Sequence, residues 1–282
     1  MLTDNDRNLQ QRLAERAAAV VAKVAYSIRP LDGGAPIRAN AGDQMHTAST
    51  FKLYALAALY AADAAGKLSL NERVEYVPEH HTHGSGVLKL IAPGLHPTLR
   101  DHARLMIVIS DNVSTNAVLR ALGGPEAANA AVHSLGLSLP ATEIRGYISF
   151  ADPSSFAVSS ADDFTTLLAA VHAGRCTGSP QHDAEIYWTL RRQQHRSGIA
   201  RHLPCSEYAE ELGVEEYDRC GTKSGSMPGF RADVGLVDTR KRSWAIAVLV
   251  QGEPDFNTGD YHPFNHLIAD LSLMVFEAWG RD

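Results

Sequence analysis

The sequence is short of cysteine and carries no strong charge of either sign. Cys176, Cys205 and Cys220 are the three cysteines among 282 residues, and their odd number and wide spacing are not typical of a disulfide framework or a zinc site. We expect them to be reduced thiols. The net charge is −6, from 26 basic and 32 acidic residues, which gives no general attraction to a polyanion. We therefore expect no nucleic-acid partner.

A long apolar run is also absent. A membrane-spanning helix needs about 18 or more uninterrupted apolar residues, and no stretch of the sequence reaches that length. A secretory signal needs an apolar core, but charges interrupt residues 1–24, among them Asp4, Asp6, Arg12 and Glu15. We expect a cytoplasmic protein that does not associate with membranes.

The sequence does have a globular composition, with strand patterns near both ends and helical patterns between them. Apolar residues make up 45% of the chain and charged residues 21%, which is typical of a folded protein with its own core. Strand patterns cover 24–30 and a hairpin of 231–238 and 243–250. Helical periodicity covers most of the remaining chain, in segments that start near residue 4 and then span 49–66, 98–109, 112–122, 125–135, 160–173, 181–195 and about 262–279.

This layout predicts an α/β chain of the α+β type, built from two lobes. Residues 1–46 and 204–282 are expected to form one lobe around a single sheet. Residues 47–203 are expected to form an inserted, all-helical lobe.

A serine and a lysine lie at positions i and i+3 at the start of the helix predicted over 49–66. Ser49 and Lys52 form an S-x-x-K pattern, and such positions share one helical face. A serine hydroxyl becomes a good nucleophile when a base removes its proton, and a lysine acts as that base if burial and positive potential lower its pKa. A helix N-terminus supplies such potential. Alone, the pattern also fits a serine at a helix start followed by a surface lysine.

Two further motifs favour the catalytic interpretation of Ser49 and Lys52 over the structural one. Ser110-Asp111-Asn112 follows an apolar run, and Lys223-Ser224-Gly225 precedes the C-terminal hairpin. With S-x-x-K, they resemble the motif set of β-lactamases and penicillin-binding proteins, in which the third motif usually has Thr as its middle residue. The sequence resembles class A serine β-lactamases over roughly residues 20–280, most continuously over 84–137 and 223–237. The resemblance implies a two-lobed fold, in which an antiparallel sheet with flanking helices packs on a helical lobe and the active site lies between them.

The resemblance also implies four catalytic residues. Ser49 would be the acylated nucleophile and Lys52 its base partner. Ser110 would pass a proton to the leaving group, and Lys223 would supply positive potential near Ser110 and the substrate carboxylate. No cofactor is implied, because this chemistry needs only serine, lysine and backbone donors.

Four substrate-binding residues follow from the same resemblance. Asn112 would hydrogen-bond the substrate amide, and Ser224 would contact the substrate carboxylate. The N–H of Ser226 would complete an oxyanion hole with that of Ser49. Arg231 falls where many members place a carboxylate-binding arginine. The expected partner is a small-molecule or peptide-like acyl substrate.

One motif of the family is missing. Class A β-lactamases carry E-x-x-L-N after the second motif, and its glutamate holds the water that hydrolyses the acyl-enzyme. Sequence landmarks place that glutamate at or near Ile148, and Glu143 is not followed by Leu and Asn at the required spacing. An acyl-serine ester turns over slowly unless a base deprotonates a positioned water. Efficient β-lactam hydrolysis is therefore less well supported than formation of the acyl-enzyme.

We therefore predict a serine hydrolase or acyltransferase that forms an acyl-enzyme at Ser49 with an amide, lactam or ester. One alternative is an efficient β-lactamase in which Glu143 or another acid replaces the missing glutamate. The other is a non-catalytic binding module with the same fold. His80, His81 and His83 fit no common zinc spacing, so we predict no metal and expect their loop to rim the active site.

Overall fold

The computed structural model describes residues 2–150, 156–206, 208–214, 218–255, 257 and 259–281. The helices within these residues are α1 (Asp4–Ala18), α2 (Lys52–Ala64), α3 (Leu99–Val108), α4 (Asn112–Ala121), α5 (Pro125–His133), α6 (Ala161–His172), α7 (Pro180–Leu190) and α8 (Pro263–Trp279). The strands are β1 (Lys23–Pro30), β2 (Ile37–Ala39), β3 (Met45–His46), β4 (Glu143–Ile144), β5 (Ala157–Ser159), β6 (Arg219–Met227), β7 (Phe230–Asp238) and β8 (Ser243–Gln251).

The main sheet joins the two ends of the chain. Its five strands lie in the order β2-β1-β8-β7-β6, and every neighbouring pair is antiparallel. Strand β1 pairs over its whole length with β8, from Lys23 opposite Gln251 to Pro30 opposite Trp244. The predicted fold class, an antiparallel sheet with flanking helices, is confirmed.

Strand β8 is covered on both faces, which explains its continuous apolar sequence. Successive side chains of a strand point to opposite faces of the sheet. One set belongs to the apolar cluster that includes residues of α1 and α8, and the other set belongs to the cluster that includes residues of α2 and α6. The first set is Trp244, Ile246, Val248 and Val250, and the second is Ala245, Ala247 and Leu249. The sheet is therefore the middle layer between two groups of helices.

Helix α2 lies at the centre of the second group and carries the S-x-x-K lysine at its first position. Every residue from Lys52 to Tyr60 is buried, and the helix contacts α3, α4, α5 and α7. Alanine and leucine favour the helix and bring no polar groups that need partners. The helix predicted over 49–66 is thus present and buried on most sides, and it gives the site a rigid base.

The structure also departs from the predicted elements. A small sheet, β3-β5-β4, has two of its strands, β4 and β5, in the region predicted to be all-helical. Helix α7 ends at Leu190 and not near 195, because the backbone N–H of Gln194 donates to the backbone oxygen of Val108 and not to a carbonyl of the helix. The lobe boundaries at 46/47 and 203/204 stay a prediction.

Among the described residues, no helix is both long enough and apolar enough to cross a membrane. The three cysteines are free thiols. The cytoplasmic location stays a prediction.

Candidate active site

The three motifs meet at one cavity of about 910 Å³ between the main sheet and the helices. Six of the predicted residues line it, namely Ser49, Ser110, Asn112, Ser224, Ser226 and Arg231. The other two, Lys52 and Lys223, have no exposed surface and hydrogen-bond to residues of this wall. The structure therefore brings all the predicted site residues together.

Ser49 lies on a short 3₁₀ turn, Ala48–Phe51, that leads directly into α2. The residue before it, Ala48, has a φ of 44°, a left-handed conformation that non-glycine residues seldom adopt. Strand β6 packs against this turn at Gly225, where a Cβ atom would lie 3.0 Å from the Ser49 nitrogen. Glycine is needed for this close approach. It brings the backbone of β6, including the next residue Ser226, alongside the backbone of Ser49.

Lys52 is held by the second motif. Its Nζ lies 2.7 Å from the backbone oxygen of Ser110, 3.0 Å from the Ser110 hydroxyl and 2.7 Å from Asn112 Oδ1. The two carbonyl oxygens can only accept, so the amine donates to both. A neutral amine then has its lone pair left to accept a proton from a hydroxyl. Ser110 itself is held in a left-handed conformation, with a φ of 57°.

The electrostatics of the site favour the neutral form of Lys52. Burial lowers the pKa of Lys52 well below its ordinary value, and the positive charge of Lys223 lowers it further. Asp111 opposes this effect through its negative charge. Because burial has the largest effect on this pKa, the overall shift is downward. The shift favours the neutral amine, which is the form that can accept a proton as a general base.

The loop that contains the histidines is tied to the second motif. Asp111 accepts hydrogen bonds from the backbone N–H groups of Val87 (2.7 Å) and Leu88 (2.9 Å). The side-chain nitrogen of Asn112 donates to the oxygen of His83 at 2.8 Å. Gly84, the next residue, lines the cavity. In the part of the chain that the structure describes, no group of three or more His, Cys, Asp or Glu side chains could hold a metal ion.

The sequence analysis missed Gln193, a buried glutamine that organises the third motif. Its Oε1 accepts from Lys223 Nζ at 3.2 Å and from the nitrogen and hydroxyl of Ser224 at 3.0 and 3.2 Å. Its Nε2 donates to Thr222 Oγ1 at 2.7 Å. A glutamine in a charged run after a helix carries no motif, so only the fold reveals this role. His195, from the same run, also lines the cavity.

Asp233 is a second residue that the sequence analysis did not identify. It lies on β7 beside the third motif, lines the cavity and accepts from the Ile199 N–H at 2.8 Å. Burial raises the pKa of Asp233 to about 7, and burial lowers the pKa of Lys223 to about 7. Each of the two groups partly offsets the shift of the other through its charge. The charge of this pair therefore changes close to neutral pH.

Arg231 faces Ser226 across the β6–β7 ladder and is almost fully buried. Its Nη1 donates to the backbone oxygens of Met227 and Phe230, both at 2.6 Å, and its Nη2 donates to the backbone oxygen of Asn257. These bonds fix a positive charge at the edge of the cavity, where it can attract an anionic substrate group. Contact with a substrate carboxylate stays a prediction for Arg231.

The predicted position of the missing glutamate holds an apolar side chain. Ile148 is 3% exposed and lines the cavity. Glu143 is not part of the cavity wall, because it lies on β4 and its carboxylate binds Arg145 at 3.1 Å. Asp152, another acid of this loop, lies outside the described residues. Among the described residues, the geometry gives no support to Glu143 as a base that activates water.

Comparison with known proteins supports the resemblance that the motifs suggested. A profile of the β-lactamase enzyme family matches residues 8–279, nearly the whole chain. The chain belongs to this family. The predicted resemblance to β-lactamases is thus confirmed, and membership supports a serine hydrolase.

Individual β-lactamases are similar over almost the full length. The chain is 25% identical to β-lactamase AST-1 of Nocardia asteroides over 285 residues, which cover 95% of this chain and 83% of that protein. The crystal structure of a β-lactamase from Sphaerobacter thermophilus is 28% identical, with a TM-score of 0.83 and 97% of each chain covered. The structure of PBP-A, 24% identical with a TM-score of 0.80, covers 96% of this chain and 95% of its own, and it supports the fold alone.

Proposed function

We propose that the protein is a serine hydrolase or acyltransferase that forms an acyl-enzyme at Ser49. The observation that carries this proposal is the buried amine of Lys52. It lies at position i+3 from Ser49, contacts the Ser110 hydroxyl at 3.0 Å and has a lowered pKa. A buried amine with a lowered pKa, beside one serine hydroxyl and three residues after a second serine at the cavity, is suited to nucleophilic catalysis.

In the proposed acylation, the Ser49 hydroxyl gives its proton to Lys52 and its oxygen attacks the substrate carbonyl carbon. The N–H groups of Ser49 and Ser226 stabilise the oxyanion that forms. The carbon–nitrogen or carbon–oxygen bond to the leaving group then breaks. Ser110 donates its proton to the leaving group and recovers one from the Lys52 ammonium, so the protons balance.

The remaining groups bind and orient the substrate. The Asn112 side chain donates one N–H to the loop, which leaves the other N–H for a substrate carbonyl. Lys223, Ser224 and Arg231 provide donors and positive charge for a substrate carboxylate. A small-molecule or peptide-like acyl donor with a carboxylate matches this arrangement.

We propose that deacylation by water is slow. The described cavity wall carries Ile148 where a water-activating glutamate was expected from the family, and an apolar side chain neither positions nor deprotonates water. Transfer of the acyl group to another nucleophile, such as an amine or alcohol, then competes with hydrolysis. The site thus favours acyl-enzyme formation followed by slow hydrolysis or transfer.

Intact-protein mass spectrometry tests this function. The protein is incubated with a panel of β-lactams, D-peptides and activated esters. We expect a mass increase equal to the acyl group, located by peptide mapping at Ser49 and absent in Ser49→Ala. If no member of the panel labels Ser49, or if Ser49→Ala keeps a discovered activity, the proposal is wrong.

Efficient β-lactam hydrolysis is the second candidate function, and membership of the β-lactamase family favours it. It requires a deacylating base other than Glu143. Steady-state hydrolysis of a chromogenic cephalosporin separates the two functions: sustained turnover supports a β-lactamase, and a burst followed by a stalled acyl-enzyme supports slow deacylation. A binding module without catalysis predicts reversible binding and no adduct in the same assays.

A further inference from the structure

Two of the three cysteines are in contact at the edge of the main sheet. Cys220 lies near the start of β6, the edge strand, and Cys205 lies in the connection between α7 and β6. Cys220 belongs to the apolar cluster that includes residues of α1 and α8, and Cys205 packs against that cluster. The two side chains are hydrogen-bonded to each other. Because a disulfide bond needs its two cysteines close in space, this pair meets the first requirement for one.

The two thiols differ in their access to solvent. Cys220 is 4% exposed, whereas Cys205 is half-buried. The hydrogen bond to Cys205 and burial raise the pKa of Cys220 well above its ordinary value, so Cys220 is a protonated thiol at neutral pH. A reagent in solution therefore reaches Cys205 first, and Cys220 is placed to attack the product formed there.

Arg196 places a positive charge beside the pair. Its Nη2 donates to the backbone oxygen of Cys205 at 2.9 Å. Its charge lowers the pKa of Cys220 and so opposes the effect of burial, whereas the negative charge of Asp233 raises it further. A positive charge near a cysteine favours the thiolate, which is the form that attacks a disulfide. Arg196 therefore assists the step in which a thiol of the pair loses its proton.

The third cysteine lies apart from this pair. Cys176 is 3% exposed and belongs to the other apolar cluster, which includes residues of α2 and α6. Burial raises the pKa of the Cys176 thiol to about 12. A buried thiol with so high a pKa reacts slowly. Cys176 therefore serves as an internal reference for the reactivity of the pair.

We infer that Cys205 and Cys220 form a redox-active dithiol, which a small-molecule disulfide oxidises to an intramolecular disulfide bond. The Cys205 sulfur attacks one sulfur of the reagent, whose S–S bond breaks, and half of the reagent leaves as a thiol with the Cys205 proton. Cys220 then attacks the Cys205 sulfur of this mixed disulfide, and the second half leaves as a thiol with the Cys220 proton. Two protein thiols are oxidised and one disulfide is reduced to two thiols, so atoms and electrons balance. The new bond closes the chain between 205 and 220 into a ring at the start of the strand that carries the third motif.

Bis(2-hydroxyethyl) disulfide, a small and uncharged reagent, tests the inference on the full chain at neutral pH. We expect the intact mass to fall by about 2 Da, because two hydrogen atoms are lost. Iodoacetamide should then label one thiol where it labels all three in the reduced protein. Peptide mapping without reduction should join Cys205 to Cys220, and dithiothreitol should reverse the change.

Three variants separate the roles of the cysteines. In Cys220→Ser, one hydroxyethylthio group should accumulate on Cys205, since no thiol displaces it. In Cys205→Ser, the buried Cys220 should stay unmodified over the time in which the unchanged protein is oxidised. Cys176→Ala is the matched control and should oxidise like the unchanged protein. A thermal melt of each variant shows whether it is folded.

The unchanged protein alone is enough to overturn the inference. A mixed disulfide that persists at Cys205, a bond that includes Cys176, or three thiols that stay free would each contradict it. Oxidation that occurs only in urea would assign the bond to the unfolded chain and contradict it as well. None of these measurements depends on acylation of Ser49, so the outcome is independent of the proposed function.

Discussion

Lys52 and Ser110 are joined at two atoms, because Lys52 Nζ lies 2.7 Å from the Ser110 backbone oxygen and 3.0 Å from its hydroxyl. The pairing places a buried amine with a lowered pKa against the hydroxyl that faces the cavity. One group can therefore serve both proton transfers of acylation, from Ser49 and to the leaving group through Ser110.

The first prediction concerns this amine. Lys52→Met keeps the length of the side chain and removes the base, so the rate of acylation at Ser49 should fall by about 10²- to 10⁴-fold, the usual contribution of a general base. Stopped-flow or timed mass spectrometry with an activated ester measures this rate.

Lys67→Met, at an exposed position just after α2, controls for the loss of a lysine. It should acylate like the unchanged protein. Acylation of folded Lys52→Met at the original rate would show that another base activates Ser49.

Much of the fold was predictable from the sequence, because periodicity reports burial directly. The length and continuous apolar sequence of 243–250 indicated a strand, and the helical periodicity of 49–66 indicated a helix. The two-residue strands of β3 and β4 were not predictable, since so short a segment has no period. The early end of α7 was also missed, because a tertiary contact to Val108 sets it.

The candidate site was predictable only where residues belong to motifs. Ser49 and Lys223 were identified because their neighbours repeat a known pattern. Gln193 contacts Lys223, and Asp233 accepts a hydrogen bond from the N–H of Ile199. Both partners are distant in the sequence, and no neighbouring residue indicates these contacts. A hydrogen bond between two residues that are distant in the sequence produces no local sequence pattern from which it could be predicted.

The second prediction concerns the apolar residue at the missing glutamate. Ile148→Glu places a carboxylate at the cavity, so it should shorten the lifetime of the acyl-enzyme about tenfold or more, because a general base contributes about 10²–10⁴ when it is well placed. The decay of a β-lactam or phenylacetyl adduct, followed by mass spectrometry at pH 8, measures the lifetime.

The side chain introduced by Ile148→Gln has the shape of a glutamate side chain but is not a strong base. This variant should therefore not accelerate the decay of the acyl-enzyme. Asp152→Asn tests the other acid of the loop. If the unchanged protein turns over rapidly and Asp152→Asn stops that turnover, then Asp152 is the base and slow deacylation is refuted.

The third prediction is a pH dependence specific to anionic substrates. Below pH 7 Lys223 is protonated and positive and Asp233 is protonated and neutral, since both have a pKa of about 7. Above pH 7 Lys223 becomes neutral and Asp233 negative, so the attraction of the cavity for a carboxylate weakens and Arg231 is left to supply the positive charge. The kcat/KM for acylation by a carboxylate-bearing β-lactam should fall by up to about tenfold per pH unit above 7.

A neutral ester measured over the same pH range is the reference, and the ratio of the two kcat/KM values removes any pH effect on Lys52. Asp233→Asn removes the negative charge that raises the pKa of Lys223, so the midpoint of the ratio should move to lower pH. An unchanged ratio between pH 6 and 8.5 contradicts this assignment.

The fourth prediction concerns Gln193, which positions Lys223 and Ser224. Gln193→Met removes the oxygen that accepts from both residues, so their donors lose a fixed orientation toward a substrate carboxylate. The loss of one such hydrogen-bond arrangement corresponds to about a tenfold rise in KM for a carboxylate-bearing substrate. Steady-state or burst kinetics should show this rise with little change in the acylation rate of a neutral ester.

Two further variants distinguish a positioning role from a structural one. Gln193→Glu keeps the accepting oxygen and adds a negative charge beside Lys223, so it should weaken binding of a carboxylate-bearing substrate and shift the pH midpoint upward. Gln194→Met, at the exposed neighbouring position, should behave like the unchanged protein. If Gln193→Met slows acylation of neutral and anionic donors equally, Gln193 supports the fold of the site as a whole and does not act through the carboxylate-binding group.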